Sequence, residues 1–123
     1  MVRHTRVFSG FAVDDVAAAR EFYESVLGLR VTEEYGMLHL HITEDTHVLV
    51  YPKPGHVPAS FTVLNFQVED IDQAVDELVG RGVRFERYEG LPTDDRGVFR
   101  EEGPFIAWFT DPAGNVMSVL QER

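Results

Sequence analysis

The chain has 123 residues, 44% of them hydrophobic and 26% charged, a balance typical of one globular domain with a sizeable core. Its formal net charge of −10 argues against nucleic acid and anionic membrane surfaces as partners. With no cysteine there is no disulfide or thiolate ligand, and the lack of a long apolar run predicts a cytoplasmic protein without a membrane span.

The first half of the chain predicts a strand, a helix and three more strands. Residues 5–13 have the β-branched and aromatic content of a buried strand. Apolar residues then recur at helical spacing behind Asp14 or Asp15 as the N-cap, which predicts a helix over 15–27. Three short strands follow, at residues 30–34, 37–42 and 47–51.

After a proline-rich connector at 52–58, the same pattern starts again. Residues 61–68 predict a strand, and a helix from Ile71 ends at Gly80 or Gly82. The segments Val-Asp-Asp-Val at 13–16 and Val-Glu-Asp-Ile at 68–71 align with each other. The chain is therefore predicted to be one domain, residues 1–123, made of two repeated modules at about 1–57 and 58–123.

The end of the second module differs from the first in its long polar connection, residues 89–103. A loop of this length is typical of a lid or a binding loop, although its charged residues are also typical of a solvated surface. Strands at 105–110 and 116–121 follow, joined by the turn Asp-Pro-Ala-Gly-Asn. A five-residue turn would place Trp108 opposite Ser118.

Three features together resemble the vicinal oxygen chelate superfamily, which includes glyoxalase I, extradiol dioxygenases and bleomycin-resistance proteins. They are the two tandem βαβββ modules, the segment Phe-Tyr-Glu-Ser-Val-Leu-Gly-Leu at 22–29, and the turn Asp-Pro-Ala-Gly-Asn at 111–115. The resemblance implies an α+β fold whose curved mixed sheets surround a shared cleft, with the helices outside. It also implies a homodimer.

In metal-dependent members of that superfamily, four inward positions hold a divalent ion. Carried over to this chain, these positions fall on Phe8, Leu49, Val63 and Ser118. None of the four is a good ligand for a divalent ion, because a hydroxyl alone does not hold one. We therefore expect no metal and no cofactor, and a cleft whose apolar surface suits a small, partly aromatic ligand.

Four more residues are candidates for contact with such a ligand. Trp108 could stack on a planar molecule, or could instead be a core residue. Asn65 and Gln67 alternate with apolar neighbours and share a face with Val63, and Tyr51 lies in the first module. No catalytic residue is assigned.

The face of the strand that carries His39 and His41 depends on the turn after it. A two-residue turn would pair the two histidines with Val50 and Val48. A three-residue turn would instead place them beside Tyr51 and Leu49, and the sequence does not decide between the two.

Binding, for sequestration or resistance, is the favoured function. The alternative is a glyoxalase-like lyase or isomerase, or a dioxygenase-type enzyme. Such an enzyme would use a displaced metal site at His39 and His41, or a loop carboxylate such as Glu101 as a general base. A third possibility is a structural dimer module whose cleft is filled by its own side chains.

Overall fold

The computed structural model describes residues 1–123, and its contacts group into two compact units. We call Met1–Val57 module 1 and Pro58–Arg123 module 2, and each is described by itself. The boundary falls in the proline-rich connector. Neither module contains a helix long and apolar enough to span a bilayer.

Module 1 is a βαβββ unit with one four-stranded sheet. Its strands are in the order β1-β4-β3-β2, with β1 parallel to β4 and the other pairs antiparallel. The helix starts as an α-helix and finishes as a π-helical turn. The elements are β1 (Gly10–Val13), α1 (Val16–Glu21) with its π-helical extension (Phe22–Val26), β2 (Arg30–Glu34), β3 (Met37–His41) and β4 (His47–Pro52).

The helix of module 1 begins where the sequence predicts. The Asp15 carboxylate accepts a hydrogen bond from the Ala18 backbone N–H at 3.0 Å, which makes Asp15 the N-cap. In the π-helical turn, Tyr23 is fully buried, and its ring centroid lies 6.0 Å from that of Phe11 on β1. This contact places the helix over the sheet face that carries Phe11.

Strand alternation gives the sheet of module 1 two different faces. Leu38 pairs with Val50 and Leu40 pairs with Val48, and all four are buried on the helix side. The opposite face, which we call the histidine face, is formed by the intervening residues of β3 and β4: His39, His41, His47, Leu49 and Tyr51.

The first strand is shorter than the prediction of residues 5–13. Strand β1 begins at Gly10, and residues 1–9 belong to no helix or strand, although the Ser9 carbonyl still accepts the Leu49 N–H at 3.0 Å. At Gly10 the two backbones are so close that a Cβ would lie 3.1 Å from the Leu49 carbonyl oxygen. The residues before Gly10 are exposed, so no buried face fixes them as a strand.

Module 2 has a three-stranded sheet in the order β5-β7-β6, where the repeat predicts four strands. In place of a strand after the helix, Glu86 and Phe99 form isolated bridges with Trp108 and Ile106, both on β6. The stretch between them is rich in Gly, Pro and charged residues, which do not favour a ladder. The elements are β5 (Thr62–Gln67), α2 (Ile71–Gly80), β6 (Phe105–Thr110) and β7 (Val116–Gln121).

The helix of module 2 covers one face of its sheet. Asp70 is the N-cap, accepting the Gln73 N–H at 3.1 Å, and the Gln121 side chain accepts the Ile71 N–H at 2.9 Å. This contact places α2 over the face that carries Gln121, and Met117 and Val119 on that face are buried. The other face, which we call the tryptophan face, carries Asn65, Gln67, Trp108 and Ser118.

The turn between β6 and β7 is organised by one buried carboxylate. Asp111 is 4% exposed, and its Oδ1 accepts the backbone N–H groups of Ala113 at 3.0 Å and Asn115 at 2.8 Å. Its Oδ2 accepts the Asn115 side-chain amide at 3.0 Å. Gly114 has a φ of 88°, and a Cβ there would lie 3.0 Å from Pro58 Cγ, so both the conformation and the space favour glycine.

Replacing Asp111 with alanine should destabilise the protein by about 2–4 kcal/mol, because buried donors lose their acceptor. Urea unfolding followed by circular dichroism measures this change. Asp14→Ala, a matched change at an exposed aspartate that caps no helix, should cost much less. Equal losses in the two variants would contradict the role given to Asp111.

Candidate functional site

The tryptophan face brings together three of the candidate residues predicted from the sequence. Trp108 pairs with Ser118 across β6 and β7, and Ser118 pairs with Asn65 across β7 and β5. The Ser118 hydroxyl is fully buried and donates to Asn65 Oδ1 at 2.6 Å. Trp108 is half-buried, and its Nε1–H donates to Thr62 Oγ1 at 3.2 Å, so one ring edge is fixed in place.

Two further aromatic rings flank Trp108, and the sequence did not single them out. The Tyr88 ring lies 5.8 Å from the Trp108 ring at an interplanar angle of 76°, and the Phe99 ring lies 6.4 Å away. Burial, with the charge of Glu86 adding to it, raises the pKa of Tyr88, so its phenol stays protonated at neutral pH. The available signals in the sequence were Phe99 inside the polar connection and Tyr88 directly before it.

The other two candidates on β5 lie in less regular surroundings. Gln67 is exposed and continues the alternation from Asn65. Val63 is half-buried at an irregularity of the ladder, since Thr62 pairs with Val116 while Leu64 already pairs with Met117. The bulge therefore separates Val63 from the regular alternation that the sequence assumed.

The histidine face contains the candidates of module 1. Leu49 is half-buried and pairs with His39, and Tyr51 is 38% exposed. Phe8 lies just before β1, and its ring centroid is 4.6 Å from that of His47. Phe8 is 47% exposed, so about half of this ring is open to solvent.

The register of β3 and β4 decides the question that the sequence left open. His41 pairs with His47 and His39 with Leu49, so His39 and His41 share a face with Leu49 and Tyr51. The two histidines are therefore on the face that the three-residue turn predicts. Their partners on β4 are two residues earlier than that turn would give, Leu49 and His47 instead of Tyr51 and Leu49. The turn is closed by the Thr46 carbonyl, which accepts the Ile42 N–H at 2.9 Å.

The environment of the histidines favours their neutral forms. Burial lowers the pKa of His41 and of His47, and the nearby positive charges of Arg30 and Arg6, respectively, lower them further. His41 Nε2 lies 2.9 Å from the Thr32 hydroxyl oxygen, which gives it a hydrogen-bond partner.

The four residues at the expected metal-binding positions cannot hold the divalent ion found in metal-dependent members of the vicinal oxygen chelate superfamily. Phe8, Leu49 and Val63 have no donor atom in their side chains, and the Ser118 hydroxyl is committed to Asn65. Elsewhere, no group of three or more His, Cys, Asp or Glu side chains is arranged so that it could hold a metal ion.

The polar connection at 89–103 is attached to α2 by ion pairs. Arg100 donates to Asp72 at 2.6 Å and to Asp94 at 2.9 Å, and Arg96 forms ion pairs with Asp72 and Asp76. Asp94 also accepts two backbone N–H groups of its own loop, and these bonds with Arg100 hold its pKa below the usual value despite the opposing effect of burial. These charges, expected to be a solvated surface, instead fix the loop on its own helix.

Comparison with known proteins identifies the family. The sequence profile of the glyoxalase/bleomycin resistance protein/dioxygenase superfamily matches residues 3–119. The chain therefore belongs to this superfamily, as its repeat and its turn motif suggested. A search of curated protein sequences found no match.

Solved structures with the same fold include proteins of different activities. TnmS3, an antibiotic-binding protein from Streptomyces sp., is 22% identical and has a TM-score of 0.68, with 99% of this chain and 100% of that chain covered. The fosfomycin resistance protein FosX from Listeria monocytogenes is 12% identical, with a TM-score of 0.72 and coverages of 100% and 96%. Lactoylglutathione lyase from Agrobacterium tumefaciens is 16% identical, with a TM-score of 0.64 and coverages of 97% and 95%.

The substitution Asp72→Asn should loosen the connection at 89–103 while leaving the fold intact. Because the ion pairs are partly exposed, we expect a loss of at most about 1 kcal/mol in stability. Hydrogen exchange of the Val98 and Phe99 amides should become faster, as measured by mass spectrometry. The matched variant Glu77→Gln, on an exposed helix position, should leave this exchange unchanged; the same rate in all three proteins would contradict the anchoring role.

Stability should fall as the pH drops below about 6.5. Because the pKa values of His41 and His47 are lowered in the folded state, these histidines bind protons at a higher pH in the unfolded chain than in the folded one. The unfolded state is therefore increasingly favoured as the pH falls from the unfolded pKa toward the folded pKa. Urea midpoints at pH 7.5, 6.5 and 5.5 measure the effect. His47→Gln should flatten this dependence, whereas His4→Gln, at an exposed position, should not; a midpoint independent of pH in the parent protein would argue against the effect.

Proposed function

We propose that this protein binds a small, partly aromatic molecule without a metal ion, for sequestration or resistance. The proposal is supported by the residues at the four positions that the resemblance assigns to metal ligands, which are Phe8, Leu49, Val63 and Ser118. A divalent ion needs several converging oxygen or nitrogen ligands, whereas an apolar ligand needs only surface to be buried against.

The tryptophan face supports an aromatic ligand. The Trp108 ring is half-buried, and its Nε1–H is already satisfied by Thr62, so its orientation does not depend on a ligand. Asn65 is exposed and accepts from Ser118, which leaves its side-chain amide N–H groups to donate to a polar group on the ligand. A planar aromatic surface with a small number of oriented polar groups is typical of small-molecule sites.

The proposed binding residues come from both modules. They share an apolar or hydrogen-bonding character, and they are Phe8, Leu49, Tyr51, Val63, Asn65, Gln67, Trp108 and Ser118. A cleft shared by the two modules, which the resemblance implies, is part of this proposal. So are a homodimer and a cytoplasmic location.

Two of the similar structures point in the same direction. One is described as an antibiotic-binding protein and another as a fosfomycin resistance protein, so the fold is compatible with sequestration and with resistance. The fold is equally compatible with catalysis, as in a lactoylglutathione lyase. A lyase or dioxygenase with a displaced metal site at His39 and His41 has less support here, because the side chains around them do not form a ligand set.

Titration of the protein with a panel of polycyclic aromatic antibiotics should quench the fluorescence of Trp108, the single tryptophan, in a saturable manner. Calorimetry on Trp108→Ala should show that the affinity falls by up to about tenfold, because an aromatic contact is lost. The matched control Tyr35→Asn should leave the affinity unchanged. It removes an exposed aromatic ring at a turn whose φ of 54° suits asparagine.

Elemental analysis of tag-free protein tests the metal-independent part of the proposal. We expect no stoichiometric Ni, Zn, Mn or Fe, and binding of the aromatic compound that survives chelation. Stoichiometric metal, or binding that is lost on chelation and restored by metal, would overturn this part. Quenching by no compound of the panel would argue against the binding function itself.

A further inference from the structure

The three histidines of the histidine face form a cluster for which the proposed function gives no role. The ring centroid of His47 lies 5.1 Å from that of His39 and 6.3 Å from that of His41. All three side chains belong to the face turned away from the helix, as the register of β3 and β4 requires. They are therefore close to one another and on the side of the sheet that is not packed by α1.

Two arginines add positive charge to this cluster. Arg30 pairs with His41 across β2 and β3, and the Arg6 guanidinium lies 5.7 Å from the ring centroid of Phe8, which contacts His47. Neither arginine takes part in an ion pair, in contrast to Arg96 and Arg100. In a chain with a formal charge of −10, two unpaired cations beside three histidines make a local positive region.

The carboxylates near this region are few. Glu34 is on the same side of β2, opposite Met37 and at the far end of the sheet from His41. Asp45 lies in the turn before β4 and lines a depression there. Neither forms an ion pair or a hydrogen bond with the histidines or with the two arginines, although Asp45 lines the same depression as Arg6.

One nitrogen of the cluster lacks a partner. His47 is 8% exposed, and its Nε2 is buried without any hydrogen bond. A buried polar nitrogen without a partner has lost its hydrogen bonds to water, and a ligand that bonds to it would restore one. The imidazole lines a depression of about 310 Å³ together with Arg6, Phe8, Asp45 and Thr46.

We infer that this depression binds the carboxylate group of an aromatic ligand. An acid oxygen accepts a hydrogen bond from His47 Nε2–H beside the Arg6 guanidinium, while the aromatic part of the ligand packs on Phe8. Phe8, whose ring contacts His47, belongs to the segment 1–9, outside any helix or strand, and the proposal requires this ring to shift so that Nε2 becomes accessible. The inference rests on the proposed function, because it names the chemical class of the ligand.

The charge pattern fixes the preference for an anion. Hydrogen bonds between an ionised oxygen and a nitrogen donor are about twice as strong as neutral ones. An anion next to the cluster also favours the protonated imidazoles, which Arg6 and Arg30 disfavour in the free protein. Binding should therefore be accompanied by proton uptake and should be stronger at pH 6 than at pH 8.

The test compares 1-naphthoate with its neutral counterpart 1-naphthamide, using calorimetry at low ionic strength. We expect naphthoate to bind about tenfold more tightly and to shift the ring-proton NMR signals of His47. His47→Gln and Arg6→Gln should each reduce the preference for naphthoate. The matched controls His4→Gln and Arg3→Gln, at exposed positions of the same segment, should keep it.

The outcomes separate this inference from the proposed function. Equal affinity for naphthoate and naphthamide, or no binding of naphthoate, overturns the acid-group site. If Trp108 is nevertheless quenched by neutral aromatic compounds, the proposed function stands and only the inference fails. A preference for naphthoate that persists in both His47→Gln and Arg6→Gln, with thermal melts showing that both variants are folded, also overturns it.

Discussion

The hydrogen bonds of the Asp111 carboxylate set the geometry on which the tryptophan face depends. Three N–H donors converge on the two oxygens of this buried group, and the turn they close holds Thr110 opposite Val116. That register places Trp108 opposite Ser118. Because side chains alternate along a strand, a shift of one residue would turn Trp108 toward the helix and remove it from the open face.

The same rule explains the histidine face, where the turn is held by backbone bonds instead of a side chain. The Thr46 carbonyl accepts the N–H groups of Ile42 and Thr43, and the resulting turn pairs His41 with His47. Each module thus has one face buried by its helix and one face whose character is decided by a turn. The chemistry of the open faces follows from turn length as much as from the identity of the residues.

Most of the fold could be predicted from the sequence, because long periodic segments and strong caps determine it. Asp15 and Asp70 cap their helices, and strands β2, β6 and β7 have the predicted bounds. The first strand was predicted too long, since apolar character alone does not show that residues before Gly10 lack a buried face. The repeat also predicted a fourth strand in module 2, but only two isolated bridges to β6 are present, one from Glu86 before the polar connection and one from Phe99 within it.

The site was less predictable than the fold, because its features depend on contacts distant in sequence. Nothing in the local sequence shows that Arg96 and Arg100 pair with Asp72 on the helix. Likewise, the partner of Ser118 is Asn65, which lies on a neighbouring strand far earlier in the chain. Only the register joins them, and register depends on the turns.

The contrast between the two groups of arginines argues for a role of the histidine face beyond packing. Arg96 and Arg100 are satisfied by carboxylates, as expected of cations that fix a loop. Arg6 and Arg30, like several other cations of the chain, form no ion pair with a carboxylate. Arg6 and Arg30 lie near a buried His47 nitrogen that has no hydrogen-bond partner. An anion supplied from outside the chain would interact favourably with these groups, which the chain itself leaves without a partner.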